Sequence, residues 1–252
     1  TSADYAKDVL AGVSYLKKHK SINPGKIGLI GHSEGGMIAP LAVIQSKDIA
    51  FMVSMAGVGI KGKDIYHKQL TRAYRQAGFN GAEVKLMQSL YEQLFIIGRQ
   101  YKNTDSLKLA FKNTYEKWSA QQTESLLKRA ALKGPNADRN INQIGASYFS
   151  PWMQYFVNYN PAFTLPKIKI PVLAINGGKD VQVLAEENLA GFKTLLTRAG
   201  NKDFQTILLP KLNHLFQTAK TGEGSEYAEI EETISMEALD IITKWIKTKA
   251  AR

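Results

Sequence analysis

Two spacings of apolar residues organise this chain. Ala6, Val9, Leu10, Val13 and Leu16 recur at helical intervals and predict a helix over residues 5–20, stopped by Asn23-Pro24-Gly25. Short apolar runs then predict strands over residues 26–30 and 49–56, with a helix over 34–44 between them. From residue 59 to 165 the pattern turns wholly helical, broken near Gly78-Phe79-Asn80-Gly81, Asn103 and Gly134-Pro135-Asn136. Lys167 to Pro171 leads back to a strand ending near Ile175. A helix over 184–199, a strand over 204–209 and a last helix over 234–247 follow. Strands alternating with helices predict an α/β fold with a parallel sheet. The sheet domain is expected in residues 1–58 and 166–252, with residues 59–165 as a helical insertion.

The turn after the first strand carries the chemistry. Gly31-His32-Ser33-Glu34-Gly35 is G-x-S-x-G between a strand and a helix, the setting of a nucleophile elbow. A nucleophilic serine must stand on a tight turn with its hydroxyl clear of the sheet. Side chains two residues to either side are expected to collide there, which accounts for Gly31 and Gly35, and Gly36 adds room. The Glu34 N–H then points toward a developing oxyanion at a helix N-terminus.

A serine needs a base and an acid, in the chain order Ser, Asp or Glu, His. Of four histidines, His19 lies among lysines, His32 sits inside the elbow and His67 falls in a basic helical region. His214, in the loop after the strand over 204–209, is the expected base. Asp180 ends the strand and glycine pair of Ile175-Asn176-Gly177-Gly178-Lys179-Asp180, at the sheet edge where such folds place functional groups. Gly-Lys-Asp is also ordinary turn chemistry. Asp203, before the next strand, is the weaker acid because it would lie at the opposite edge.

With the three pieces in order, the chain resembles the α/β-hydrolase superfamily. Gly-His-Ser-Glu-Gly-Gly, Asn-Gly-Gly-Lys-Asp-Val-Gln-Val and Leu-Asn-His-Leu-Phe-Gln look like bacterial carboxylesterases of the EstD type, related to the acylaminoacyl-peptidase and dienelactone-hydrolase branches. The resemblance implies Ser33 as nucleophile, Asp180 as acid and His214 as base. It also implies hydrolysis of small acyl esters of short to medium chain, with peptide or thioester cleavage as relatives. A non-catalytic binding module on the same fold is the alternative class, although such a module has no need of all three residues.

Composition narrows the rest. Zero cysteines among 252 residues exclude disulfides and thiolate sites and fit cytosol and periplasm alike. No apolar run approaches the roughly 20 residues that span a bilayer, and no phosphate loop, dinucleotide fingerprint or metal-ligand spacing is present. No cofactor or metal is expected. Of the net charge of +11, fifteen Lys or Arg against seven Asp or Glu place most of the excess in residues 59–165. Those lysines are spread at helical spacing without a nucleic-acid motif, so they read as a solvated surface. The insertion holds most of the aromatics. Trp152, Tyr155 and Phe156, just before the return to the sheet, are its expected substrate-binding residues.

One expectation concerns completeness. The nucleophile strand of an α/β-hydrolase is normally fifth, yet Ser33 follows one helix and one strand. Four sheet strands leave the nucleophile strand at a raw edge, and no segment supplies the second oxyanion donor. The natural protein is therefore expected to extend by about a hundred residues before Thr1.

Overall fold

The computed structural model describes residues 1–101 and 103–251, which divide into two compact units: Thr1–Ile65 together with the chain from Tyr159, and Tyr66–Asn158. In the first unit, helix α1 (Ser2–Lys17) precedes strand β1 (Gly28–His32), helix α2 (Gly35–Val43) and strand β2 (Phe51–Met55). Strand β3 (Val172–Gly177), helix α9 (Ala185–Arg198), strand β4 (Phe204–Leu209) and helix α10 (Met236–Ala250) complete it. The four strands form one parallel sheet in the order β1-β2-β3-β4.

A parallel sheet must be covered on both faces, and the side-chain period of two sorts its residues accordingly. Met52, Val172 and Ala174 join one apolar cluster with Ala6 and Val13 of α1, Ala42 and Val43 of α2, and Phe192 and Leu196 of α9. Their neighbours Phe51, Val53, Met55, Leu173 and Ile175 join the other, with Ala238, Ile242 and Trp245 of α10. All residues of β2 and β3 are buried, so these two strands are apolar except at Ser54 and at the Asn176-Gly177 end of β3. Replacing a fully buried leucine such as Leu173 with alanine is worth about 2–5 kcal/mol in such a core.

The first strand lies two residues later than the apolar pattern predicts. Asn23 accepts a hydrogen bond from the Gly25 N–H at 3.0 Å and folds Pro24–Lys26 into a 3-10 turn, so Lys26 cannot pair. Pairing begins at Gly28↔Phe51 and runs through His32↔Met55, which carries the strand into the glycine-rich turn.

The second unit contains helices α4 (Gly81–Gln100), α5 (Thr104–Ser119), α6 (Glu124–Arg129), α7 (Ala137–Tyr148) and α8 (Pro151–Asn158). Helix α3 (Gly62–Gln76) leads into it. All three predicted breaks are helix starts, and at two of them a side chain caps the helix. Asn80 accepts from the Ala82 and Glu83 N–H groups while Glu83 accepts from the Asn80 N–H, a complete capping box. Asn103 caps α5 through Asp105 and Ser106. Leu90, Leu94, Met87, Phe111, Trp118 and Tyr148 build a core of this unit's own.

Candidate active site

Ser33 follows β1 directly and adopts φ of +55°, the left-handed region that a residue with a Cβ rarely enters. Two hydrogen bonds hold the turn. The Ser33 N–H donates to the Met55 carbonyl at 2.8 Å, and the Gly36 N–H donates to the Ser33 carbonyl at 2.9 Å. Glu34 opens α2, and its carboxylate accepts from the Ser2 hydroxyl at 2.7 Å.

Crowding at the turn differs in one place from the expectation. A Cβ on Gly31 would lie 2.0 Å from the Gly35 carbonyl oxygen, as the elbow geometry demands. A Cβ on Gly35 would meet nothing within 4 Å. The crowded partner is Gly36, where a Cβ would lie 2.5 Å from the Gly57 Cα, because α2 starts against the loop leaving β2. Gly35→Ala is therefore expected to leave the melting temperature unchanged or raised, since alanine favours a helix. Gly36→Ala forces backbone apart, costing about 1–3 kcal/mol, or a fall of about 2–12 °C by differential scanning calorimetry. Equal melting temperatures for the two variants would contradict this packing.

Asp180 follows β3. Its Oδ1 accepts the N–H groups of Gln182 and Val183, each at 2.8 Å, so the loop's own backbone fixes the carboxylate plane. Its Oδ2 lies 2.8 Å from His214 Nδ1. Because a carboxylate only accepts, Nδ1 carries a proton, and in the neutral ring Nε2 is then the acceptor. Nε2 lies 3.0 Å from Ser33 Oγ. Asp180 and His214 are buried, at 3% and 4% exposure, while Ser33 keeps partial access to solvent. Asp203 lies before β4 and pairs with Lys249.

The turn that carries His214 is built by a residue the sequence reading passed over. Asn213, fully buried, accepts the Leu215 and Gln217 N–H groups at 3.0 and 2.9 Å and donates to Gln217 Oε1 at 2.9 Å. The Lys179 ammonium donates to the Ala219 and Lys220 carbonyls at 2.8 and 2.6 Å, tying the acid loop to the chain beyond the base. The Glu226 carboxylate gathers the N–H groups of Gly222 and Lys220 and the hydroxyl and N–H of Thr221, which hold its pKa down at about 2. A carboxyl whose folded pKa is depressed stabilises the structure above its ordinary range and ceases to do so as pH falls through the depressed value. Hydrogen exchange at residues 220–222 is therefore expected to be slow at pH 5 and to lose protection toward pH 2. Glu226→Gln should show the loosened loop at pH 5 already, and an unchanged exchange pattern would remove this role.

Trp152, Tyr155 and Phe156 lie on α8 of the second unit, where Trp152 and Phe156 stack with ring planes 1° apart and centroids at 5.6 Å. His67 pairs with Glu92 at 3.4 Å in that unit. His19 lies after α1, where its Nδ1 accepts the Ser21 N–H.

Position along the strands decides the class. Ser33 comes one residue after β1, Asp180 three after β3 and His214 five after β4. Since all four strands are parallel, the three side chains share one sheet edge, in the chain order serine, acid, histidine. That is the architecture of the α/β-hydrolase fold. A nearer likeness follows from the sequence: residues 2–94 match the prolyl oligopeptidase family, a stretch that contains the elbow and ends before Asp180 and His214.

No curated protein matches the chain. Among solved structures it is similar to an acylaminoacyl peptidase of Pyrococcus horikoshii, with 14% identity over 98% of this chain and 28% of that one, at a TM-score of 0.47. An esterase of Pyrococcus furiosus shares 18% identity over 81% of this chain and 52% of its own, at 0.44. A proline iminopeptidase of Mycobacterium smegmatis shares 11% over 100% and 73%, at 0.48. The chain thus spans about a quarter of the peptidase and half of the esterase. Among the described residues no helix is long and apolar enough to cross a membrane.

Proposed function

We propose that this chain carries the centre of a serine hydrolase that cleaves carboxylic esters of short to medium acyl chain. The observation that supports the reading is the continuous hydrogen-bond chain from Ser33 Oγ through His214 to Asp180 Oδ2 on a left-handed elbow. In this reading His214 Nε2 takes the Ser33 proton as Oγ attacks the ester carbonyl. The resulting imidazolium is stabilised by Asp180, and the tetrahedral oxyanion is met by the Glu34 N–H at the start of α2. Collapse expels the alcohol, which takes the proton back from Nε2 and leaves the acyl group on Ser33. Water activated by His214 then releases the acid. Trp152, Tyr155 and Phe156 are proposed to line the substrate pocket, and residues 59–165 to act as a cap. Every step uses a side chain or an amide of this chain, so the mechanism requires no cofactor.

A second reading, cleavage of peptides, is favoured by the match of residues 2–94 to the prolyl oligopeptidase family. The two separate on a panel of nitrophenyl esters of increasing acyl length run beside aminoacyl-nitroanilides, with the full-length natural protein. Ester hydrolysis falling off beyond medium chains supports the esterase. Faster turnover of the anilides supports the peptidase, and turnover of neither leaves only a binding module.

A further inference from the structure

His32 is the neighbour of Ser33 in the chain, and the sequence gives it no task because its ring cannot swing round to the Ser33 hydroxyl. In the fold it reaches the other partner. His32 Nε2 lies 2.7 Å from the backbone carbonyl of His214. A carbonyl only accepts, so Nε2 carries the proton. The His32 ring lies 4.8 Å from the His214 ring, and the edge of Phe216 packs against it at 6.0 Å and 74°. Phe216 itself holds φ of +62° within the turn that Asn213 ties together. Two adjacent elbow residues thus grip one residue of that turn, Ser33 at the imidazole and His32 at the backbone.

We infer that His32 is a positioning residue for the proposed hydrolysis, holding the His214 backbone so that Nε2 stays within reach of Ser33. The inference rests on the serine-hydrolase reading. The bonds to Ser33 and Asp180 hold the imidazole at its two nitrogens but do not tie the His214 backbone to the elbow. The bond from His32, anchored one residue away from Ser33 on the same rigid turn, closes a ring through the elbow and the His214 backbone. Misplacing a catalytic group by about 1 Å can cost on the order of a hundredfold in rate. Part of His32 stays open to solvent. Loss of hydration on its packed side nonetheless pulls the imidazole below the usual histidine range, and the bond to the His214 carbonyl partly offsets that shift.

Three variants of the full-length protein separate the bond from the packing. His32→Phe keeps the ring and loses the donor. His32→Gln places an amide N–H near the position of Nε2, and His32→Asn carries the same donor too short to reach. The readouts are kcat and KM on a nitrophenyl ester and the rate at which a fluorophosphonate labels Ser33. His32→Phe and His32→Asn are expected to lower kcat and the labelling rate about tenfold to a hundredfold with KM within about twofold. His32→Gln is expected to recover at least half of the loss on a logarithmic scale. Melting temperatures show which variants remain folded, and the Gln and Asn pair carries the test if His32→Phe does not. Variants that label and turn over like the wild type would overturn the inference while leaving the hydrolase intact. Equal losses in Gln and Asn would also overturn it, because packing and not the bond would then matter. A wild-type protein that is neither labelled nor active would remove the hydrolase reading, and this inference with it.

Discussion

Replacing Ser33 with alanine is expected to reduce ester turnover by about four to six orders of magnitude. The hydroxyl has one hydrogen-bond partner of consequence, His214 Nε2 at 3.0 Å, and its removal takes away the atom that would form the acyl-enzyme. The fold should be indifferent. Alanine suffers the same left-handed backbone as serine at φ of +55°, and the two hydrogen bonds that hold the turn are made by backbone atoms. A melting temperature within about 3 °C of wild type is expected, alongside loss of fluorophosphonate labelling, since surface-accessible substitutions change stability little. Residual turnover above about a tenth of wild type, measured on protein purified free of host esterases, would exclude Ser33 as the nucleophile.

The strands were legible because burial on both faces leaves an apolar run that few other structures require. Met52 and Val53 face opposite clusters, yet both must be apolar, and so must Val172 and Leu173. The elbow was legible because its backbone demands glycine at Gly31, where a carbonyl oxygen occupies the place of a side chain. The motif's second glycine misled for a complementary reason. Spacing names Gly35, whereas the contact that excludes a side chain comes from Gly57, a loop distant in sequence, and falls on Gly36. Asn80 and Asn103 read as breaks between helices, which is the same chemistry as a cap seen from outside: a side chain that competes for backbone N–H groups. The parts that stayed hidden are made by long-range contacts. Nothing near His32 in the chain announces a partner 182 residues away, and nothing near Asn213 shows that its side chain folds the next four residues. That Ser33, Asp180 and His214 lie together could be read because each follows a strand, and parallel strands bring their ends to one edge. Their distances could not.

Asp180→Asn is expected to lower kcat about a thousandfold to ten-thousandfold with KM changed only a few-fold, and the reason lies in which oxygen is already committed. Oδ1 accepts two backbone N–H groups, from Gln182 and Val183, both at 2.8 Å. An asparagine must keep its carbonyl oxygen there, because turning its amide over would set an NH2 against two donors in a buried loop. The NH2 is therefore forced to the Oδ2 position, 2.8 Å from His214 Nδ1. Two donors cannot share that distance. The imidazole relieves the clash by moving its proton from Nδ1 to Nε2, so Nδ1 accepts from the amide and Nε2 becomes a donor toward Ser33. A base that already carries the proton it should receive cannot activate the hydroxyl, although every heavy atom is in place. The variant is thus expected to fold and bind substrate like wild type while losing the chemical step. Nitrogen chemical shifts of His214 would report the exchange of tautomers directly. A variant that kept more than about a tenth of kcat, with Nδ1 still protonated, would show that Asp180 holds the loop and not the base.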